Sequence, residues 1–404
     1  MKYVIIIADG GADFPLPQLN GRTPFAAARK PNTDRITIEG RQGIVATTPD
    51  GMPCGSDICC MSLLGYDPAK YHTGRAPIEA ASLGIELGNT DWAFRANLVT
   101  VTDHEMLDHS AGHISNAEAH RLLTDFSASQ DWSGMTFMPG VSYRNILVDT
   151  SGQHDWSTLS TTPPHDIPGE PIHQYLPNQA YHSNVLLQLM NDSESFFTNH
   201  EVNITRRQLG EPPATQLWIW GQGRKPQMNS FEQRFGLRGA MITAVDLLAG
   251  LARLIGWDRL DVPDQTSYHD TDYAAAGSAA IKALASYDIV CIHVESPDEA
   301  SHAADAKTKV EAIEAIDQHI VGPLLETLSH AESGFRMLYM PDHYTAVSTR
   351  KHDPTPVPFA MCGRHVNSVL QQPFTEANAE QSDLHINYGH ELIEYFLRSG
   401  RPEK

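Results

Sequence analysis

Apolar runs that stop abruptly at a polar or acidic cluster occur three times along the chain. They are "KYVIIIAD" at the start, and "SYDIVCIHVESPDE" and "FRMLYMPDHY" towards the other end. Each reads as a strand, and each is followed by loop or by sequence of helical period. In "DAKTKVEAIEAIDQHIVGPLLETL" the apolar positions Val310, Ile313, Ile316, Ile320 and Leu324 keep a helical interval. This alternation predicts an α/β fold in which a parallel sheet is sandwiched by helices. Ligands of open α/β sheets bind beyond the carboxyl ends of the strands. Asp9, Asp298 with His302, and Asp342 with His343 stand at those three ends, so they are expected to converge although they are far apart in sequence.

The middle of the chain has another texture. Proline-rich segments such as "STTPPHDIPGEPIHQYLPN" and "LGEPPATQ" interrupt short strand candidates, "RNILVD" and "QLWIWG" among them. Residues 71–242 are read as an inserted, smaller α/β (α+β) domain, with 1–70 and 243–404 forming the discontinuous sheet domain. The helical stretch "RGAMITAVDLLAGLARLIG" would lead back into the sheet. A length of 404 residues suits about two to three domains.

Composition narrows the function. The hydrophobic share of 41% is ordinary for a soluble protein, and a net charge of -20 argues against a nucleic-acid surface. The N-terminal run in "MKYVIIIADGGADF" is too short for a signal peptide or a membrane span, which predicts a cytoplasmic protein without a membrane partner. Five cysteines without zinc-type pairing read as reduced thiols, although Cys54, Cys59 and Cys60 lie close enough together to bind metal.

The candidate chemistry begins at "GMPCGSDICCMSLLG", where Ser56 opens a short apolar helix. A serine there serves as a helix cap, as a nucleophile whose anionic product the helix N-terminus favours, or as both. Asp298 and His302 are four residues apart and share one face of a helix, a spacing that alone more often makes a surface pair. Asp342 and His343 follow a strand, and His352 sits in the proline-limited "TRKHDPTPVPF". Together with Asp9 and Ser56 they offer the oxygen and imidazole ligands suited to two Mn²⁺, Zn²⁺ or Mg²⁺ ions, the imidazoles favouring Mn²⁺ or Zn²⁺. Two metals beside a serine suggest phosphoryl transfer. The Gly-x-Gly at Gly221 and Gly223 lacks the rest of a dinucleotide fingerprint, and no P-loop motif occurs.

Much of the sequence resembles the alkaline phosphatase superfamily and, within it, the 2,3-bisphosphoglycerate-independent phosphoglycerate mutases of archaeal type. The likeness is carried by "IIADGGAD", "GMPCGSDICCMSLLGYDP", "YHTGRAPIEAASLGIEL", "AFRANLVTV", "DHSAGHIS", "VSYRNILV", "GAMITAVDLLAGL", "HVESPDEASHAADAKTKVEAIEAID" and "MPDHYTAVSTRKHDPTPVPF". The resemblance implies that Ser56 accepts the phosphoryl group and shares one metal with Asp9, Asp342 and His343. The other metal would take Asp298, His302 and His352. It also implies a small phosphorylated three-carbon acid as substrate, no bisphosphoglycerate cofactor, and a second domain that closes to exclude water. Arg75, Arg95, Arg144, Arg224, Lys225 and His113 are the candidate contacts to phosphate and carboxylate. The rival readings are a homoserine-kinase-like phosphotransferase, a phosphomonoesterase or sugar phosphomutase of the same superfamily, and a catalytically silent metal-binding scaffold.

Overall fold

The computed structural model describes residues 1–178 and 182–399. The chain divides into two units, one formed by Met1–His72 with Met228–Lys404 and the other by Thr73–Gln227. The strands in chain order are β1 Lys2–Ala8, β2 Arg41–Val45, β3 Trp92–Thr102, β4 Glu105–Asp108, β5 Met135–Val141, β6 Arg144–Asp149, β7 Gln216–Arg224, β8 Gly239–Ile242, β9 Asp258–Arg259, β10 Ile289–Val294, β11 Phe335–Met340, β12 Tyr344–Ala346, β13 Lys351–Asp353, β14 Val357–Gly363 and β15 His385–Ile386.

The first unit is built on an eight-stranded sheet of order β15-β2-β14-β11-β1-β10-β8-β9. Its centre is parallel: β1 pairs with β10 on one side and β11 on the other, with Ile7 opposite both His293 and Met340. Successive residues Val4 to Ala8 are at most 1% exposed. Burial on alternate sides of a strand means that both faces of the sheet are covered, which is why this strand reads as an unbroken apolar run. One helical group, Ser56–Leu63, Asp246–Leu254 and Gly389–Arg398, packs together. A second packs around Pro31–Glu39, Tyr273–Ala283, Ala306–Ile316 and Gly322–Ser329.

Three sequence expectations are corrected here. The sheet is mixed, because β14 runs antiparallel to both β11 and β2. The insert does not reach residue 242: β8 pairs with β10 in the large sheet, so the chain has re-entered the first unit by Met228. "RGAMITAVDLLAGLARLIG" is accordingly not one helix but β8 followed by a helix that starts at Asp246.

The second unit has its own sheet of β4-β3-β6-β5 with β7 on the other edge of β3, every pairing antiparallel. Helices Asn116–Ser127, Ser183–Thr198 and Glu201–Leu209 accompany it. A separate core containing Phe94, Phe126, Trp156, Phe197 and Trp218, each at most 1% exposed, fills it. Asn203, within an Asn-Ile-Thr sequence, is buried in that packing and bonds Phe197 and Ala214, so it is no glycosylation site as folded. Among the described residues no helix is long and apolar enough to cross a membrane.

Candidate active site

The parallel strands of the first unit end side by side, and their ends carry the chemistry. Asp9 follows β1 directly, and its N–H donates to Val294 at the end of β10. Asp342 and His343 follow β11 after Pro341, and the N–H groups of Gly10 and His343 both donate to Asp342 Oδ1, at 3.1 and 2.9 Å. Asp298 lies in the first turn of the helix Ser296–His302, with His302 in its last. His352 comes from β13. All these residues, with Ser56, belong to the first unit.

Three histidines share one design. His343 Nδ1 meets the Thr345 hydroxyl at 3.1 Å, and that hydroxyl donates to Asp298 Oδ1 at 2.5 Å, so the Thr345 oxygen accepts from Nδ1–H. His302 Nδ1 faces the carbonyl of Arg350 at 3.0 Å, and His352 Nδ1 faces that of Cys54 at 3.3 Å. A carbonyl only accepts, so each Nδ1 carries a proton and each Nε2 is left to face a carboxylate or, once it has lost any proton of its own, a cation. Those Nε2 atoms converge on carboxylates. His343 lies 3.5 Å from Asp9 and 3.3 Å from Asp342; His302 and His352 lie 3.1 and 3.5 Å from Asp298 and 3.1 Å from each other.

The donor set fits divalent cations. Asp9, Asp342 and His343 offer ligand atoms within 4.8 Å of one another, as do Asp298, His343 and His352. Asp9 is wholly buried, yet its Oδ1 has no hydrogen-bond partner. Burial, reinforced by Asp342 and Glu295, drives the Asp9 carboxyl well above its usual range. Burial likewise opposes ionisation of Asp298, but its contacts with His302 and His352 hold it well below that range. The hydrogen bond to Asp298 lifts His302 to about 9. Packed carboxylates with an unpartnered oxygen call for positive charge, which bound divalent cations would supply.

Ser56 is the first residue of the helix Ser56–Leu63, and the cap position belongs to Gly55. The serine is therefore not the cap, as one sequence reading had it. Its Oγ instead lies 3.3 Å from His343 Nε2. The helix N-terminus adds unpaired N–H groups and a positive dipole end beside that hydroxyl.

Sequence reasoning missed His293 and Glu295, which form a third group with Asp9. His293 meets Thr243 Oγ1 through Nδ1 at 3.2 Å and Asp9 Oδ2 through Nε2 at 2.8 Å. Burial lowers its imidazole to about 4, so it is neutral and donates through Nε2 to fix Asp9. The only sign in the sequence was a pair of polar residues at alternate positions closing the run "IVCIHVE".

Within the second unit, Glu79 gathers arginines. Arg95 pairs with it, Arg75 Nε donates to it at 2.8 Å, and both guanidinium groups lie over Trp220. Burial disfavours the Glu79 charge, but Arg95, Arg75 and Arg144 together hold its carboxyl below the usual value. Arg144 lies over Tyr143, whose ring also neighbours His113 and His109. His165 neighbours both His109 and Trp220, and burial with the nearby guanidinium charge lowers it to about 4. Glu79, His109 and His165 were not foreseen. Arg224 and Lys225 are not brought into this cluster: Arg224 stacks on Trp92 beside a cavity of about 460 Å³, and Lys225 is exposed.

The combination is a mixed α/β sheet whose parallel strand ends carry carboxylates and imidazoles beside a helix-borne serine. A solved structure of a protein from Pyrococcus horikoshii superposes on it with a TM-score of 0.82 at 25% identity, covering 100% of this chain and 99% of that one. A cofactor-independent phosphoglycerate mutase from Thermoplasma acidophilum gives 0.68 at 25% identity, covering 98% and 99%. The family model for 2,3-bisphosphoglycerate-independent phosphoglycerate mutase matches residues 38–203. A protein of that name from Methanothermobacter thermautotrophicus is 43% identical over 98% of this chain and 97% of its own length. A probable one from Geobacter sulfurreducens is 39% identical over 98% and 100%. The chain belongs to the 2,3-bisphosphoglycerate-independent phosphoglycerate mutase family, whose members are isomerases.

Proposed function

We propose that the protein interconverts 3-phosphoglycerate and 2-phosphoglycerate through a phosphoryl group carried on Ser56. The observation that supports this most is the Ser56 hydroxyl at a helix N-terminus, 3.3 Å from His343 Nε2 and beside the carboxylates that this imidazole joins. Ser56 Oγ attacks the phosphorus of 3-phosphoglycerate, and the bond from phosphorus to the C3 oxygen breaks. The proton given up by the Ser56 hydroxyl goes to the glycerate C3 oxygen. The C2 hydroxyl then attacks the phosphorus of the phosphoserine, the bond from phosphorus to Ser56 Oγ breaks, and Oγ takes up the proton that the C2 hydroxyl loses. Glycerate has to stay bound between the two transfers, because its loss would leave the phosphoserine to water.

Asp9, Asp342, His343 and Ser56 would hold one divalent ion, and Asp298, His302 and His352 the other. Mn²⁺ or Zn²⁺ suits these ligands better than Mg²⁺. Such ions neutralise the phosphoryl oxygens and stabilise the entering and leaving oxygens of an in-line displacement. His293 keeps Asp9 oriented, and Thr345 fixes the ring of His343. Arg75, Arg95 and Arg144, with His113, form the anion-recognising cluster for carboxylate and phosphate, since planar guanidinium groups match both.

The test is an enolase-coupled assay of the Mn²⁺-loaded protein with 3-phosphoglycerate and no bisphosphoglycerate. Wild type turns over, and Ser56→Ala loses about a thousandfold or more in kcat while still binding metal. A folded, metal-loaded wild type without turnover overturns the reading and directs attention to ATP with homoserine and to other phosphate esters.

A further inference from the structure

The helix that presents Ser56 is entered through a pair of cysteines. Gly55 is its cap residue, so Cys54 precedes the cap and Cys59 is the fourth helical residue. Side chains at these two positions meet across the first turn, the geometry in which apolar residues staple a helix start. Here the Cys54 and Cys59 side chains interact, and the Thr48 hydroxyl lies 3.3 Å from Cys59 Sγ. Cys54 is half-buried, whereas Cys59, Cys60, Cys291 and Cys362 are buried, so among the cysteines it is the one open to a solute. The Cys54 carbonyl also accepts from His352 Nδ1, and Ser56 is only two residues on.

We propose that Cys54 and Cys59 are an oxidisable dithiol, a modification site at which a peroxide closes a disulfide over the first turn of the Ser56 helix and arrests turnover. The Cys54 sulfur attacks one peroxide oxygen and the O–O bond breaks. The thiol proton leaves with the departing oxygen as water, and Cys54 becomes a sulfenic acid. Cys59 sulfur attacks the Cys54 sulfur, the S–O bond breaks, and the Cys59 proton leaves with that oxygen as a second water. Both sulfurs are oxidised and the peroxide is reduced. Bond formation draws the sulfurs well inside contact distance. Cys59 is locked in the core, so the movement falls on Cys54 and Gly55, and through them on Ser56 and the Nδ1 partner of His352. A displacement of about 1 Å at a reacting group costs on the order of a hundredfold in rate.

The disulfide itself is independent of the reaction catalysed; its effect on turnover rests on Ser56 as the nucleophile of the proposed mutase. The experiment exposes full-length, metal-loaded protein to one equivalent of hydrogen peroxide, traps residual thiols by alkylation, and reads peptide masses and 3-phosphoglycerate turnover from the same samples. Wild type is expected to lose two hydrogen masses and both alkylation sites at Cys54 and Cys59. Its turnover falls about tenfold or more, and dithiothreitol reverses all three changes. Cys59→Ala, or Cys59→Ser should the former fail to fold, forms no crosslink and shows no reversible loss. Thiols that remain alkylatable in wild type, or a crosslink that leaves turnover unchanged, overturn the proposal. Unoxidised protein without turnover contradicts the mutase reading instead, and the mass readout still decides the crosslink.

Discussion

His302 carries the clearest pH signature of any single residue. Its hydrogen bond to Asp298 keeps the imidazole protonated up to about 9 in the metal-free protein, and a cation has to displace that proton. Affinity at the proposed site of Asp298, His302 and His352 should therefore fall about tenfold for each pH unit below 9, with one proton released per ion. Calorimetry from pH 7 to 9 in buffers of different ionisation enthalpy measures both quantities; a flat affinity would refute the assignment. The folding sign is opposite. The folded value lies above the unfolded one near 6.5, so the His302 contribution to metal-free stability is complete below that pH and lost as pH rises through 9. Glu79 supplies a second residue-scale prediction. Removing it strands Arg95, which is 3% exposed, so Glu79→Ala should cost about 3–5 kcal/mol in urea unfolding. Arg75→Ala, at a side chain 39% exposed, should cost under about 1 kcal/mol. Legibility at this scale followed chemistry. Asp9, Asp298, His302, Asp342 and His343 could be picked out because polar residues at strand ends are conspicuous, whereas His352, in a proline-limited segment, stood out only beside them. Glu79 and Thr345 could not, since a carboxylate inside "APIEAAS" and a threonine after "DHY" look like ordinary solvated positions.

Elements decide whether those residues meet, and the turn after β1 is the most demanding. Gly10 has a φ of +59°, and a Cβ there would stand 2.5 Å from both Asp298 Oδ1 and Thr345 Oγ1. Gly10→Ala would therefore push apart the helix that brings Asp298 and the strand that brings Thr345, besides straining the backbone. The expected result is at least about a tenfold loss of Mn²⁺ affinity by calorimetry, with near-native secondary structure by circular dichroism. The strands and helices that could be read were those whose pattern is strong: the unbroken run of β1, the period of Ala306–Ile316, and the strands β6 and β7. What stayed hidden is direction and punctuation. "VPFAMCG" is apolar whichever way β14 runs, so its antiparallel pairing with β11 left no trace. "GAMITAV" is equally apolar as strand or helix, and only Asp246 marks where the helix begins.

At the scale of the whole molecule, the two units differ in what stabilises them. The first collects the buried carboxylates Asp9, Asp298 and Asp342, so a cation bound there would add folding free energy to it. The second, held by an aromatic core, contributes none of those three carboxylates. A ligand at a hundred times its Kd adds about 2.7 kcal/mol to the unit that binds it. The tryptophans let the units be watched apart: of 6 in the chain, only Trp257 lies in the first unit, while Trp92, Trp132, Trp156, Trp218 and Trp220 lie in the second. In a Trp257→Phe background, fluorescence therefore reports the second unit and far-ultraviolet circular dichroism reports both. Denaturant titrations with saturating Mn²⁺ and with a chelator should then separate. The circular dichroism transition gains a component that moves up with metal by about 3 kcal/mol or more, and the fluorescence midpoint stays within error. Coincident transitions that move together would show instead that the units unfold as one cooperative system, with metal binding in the first stabilising the aromatic core of the second.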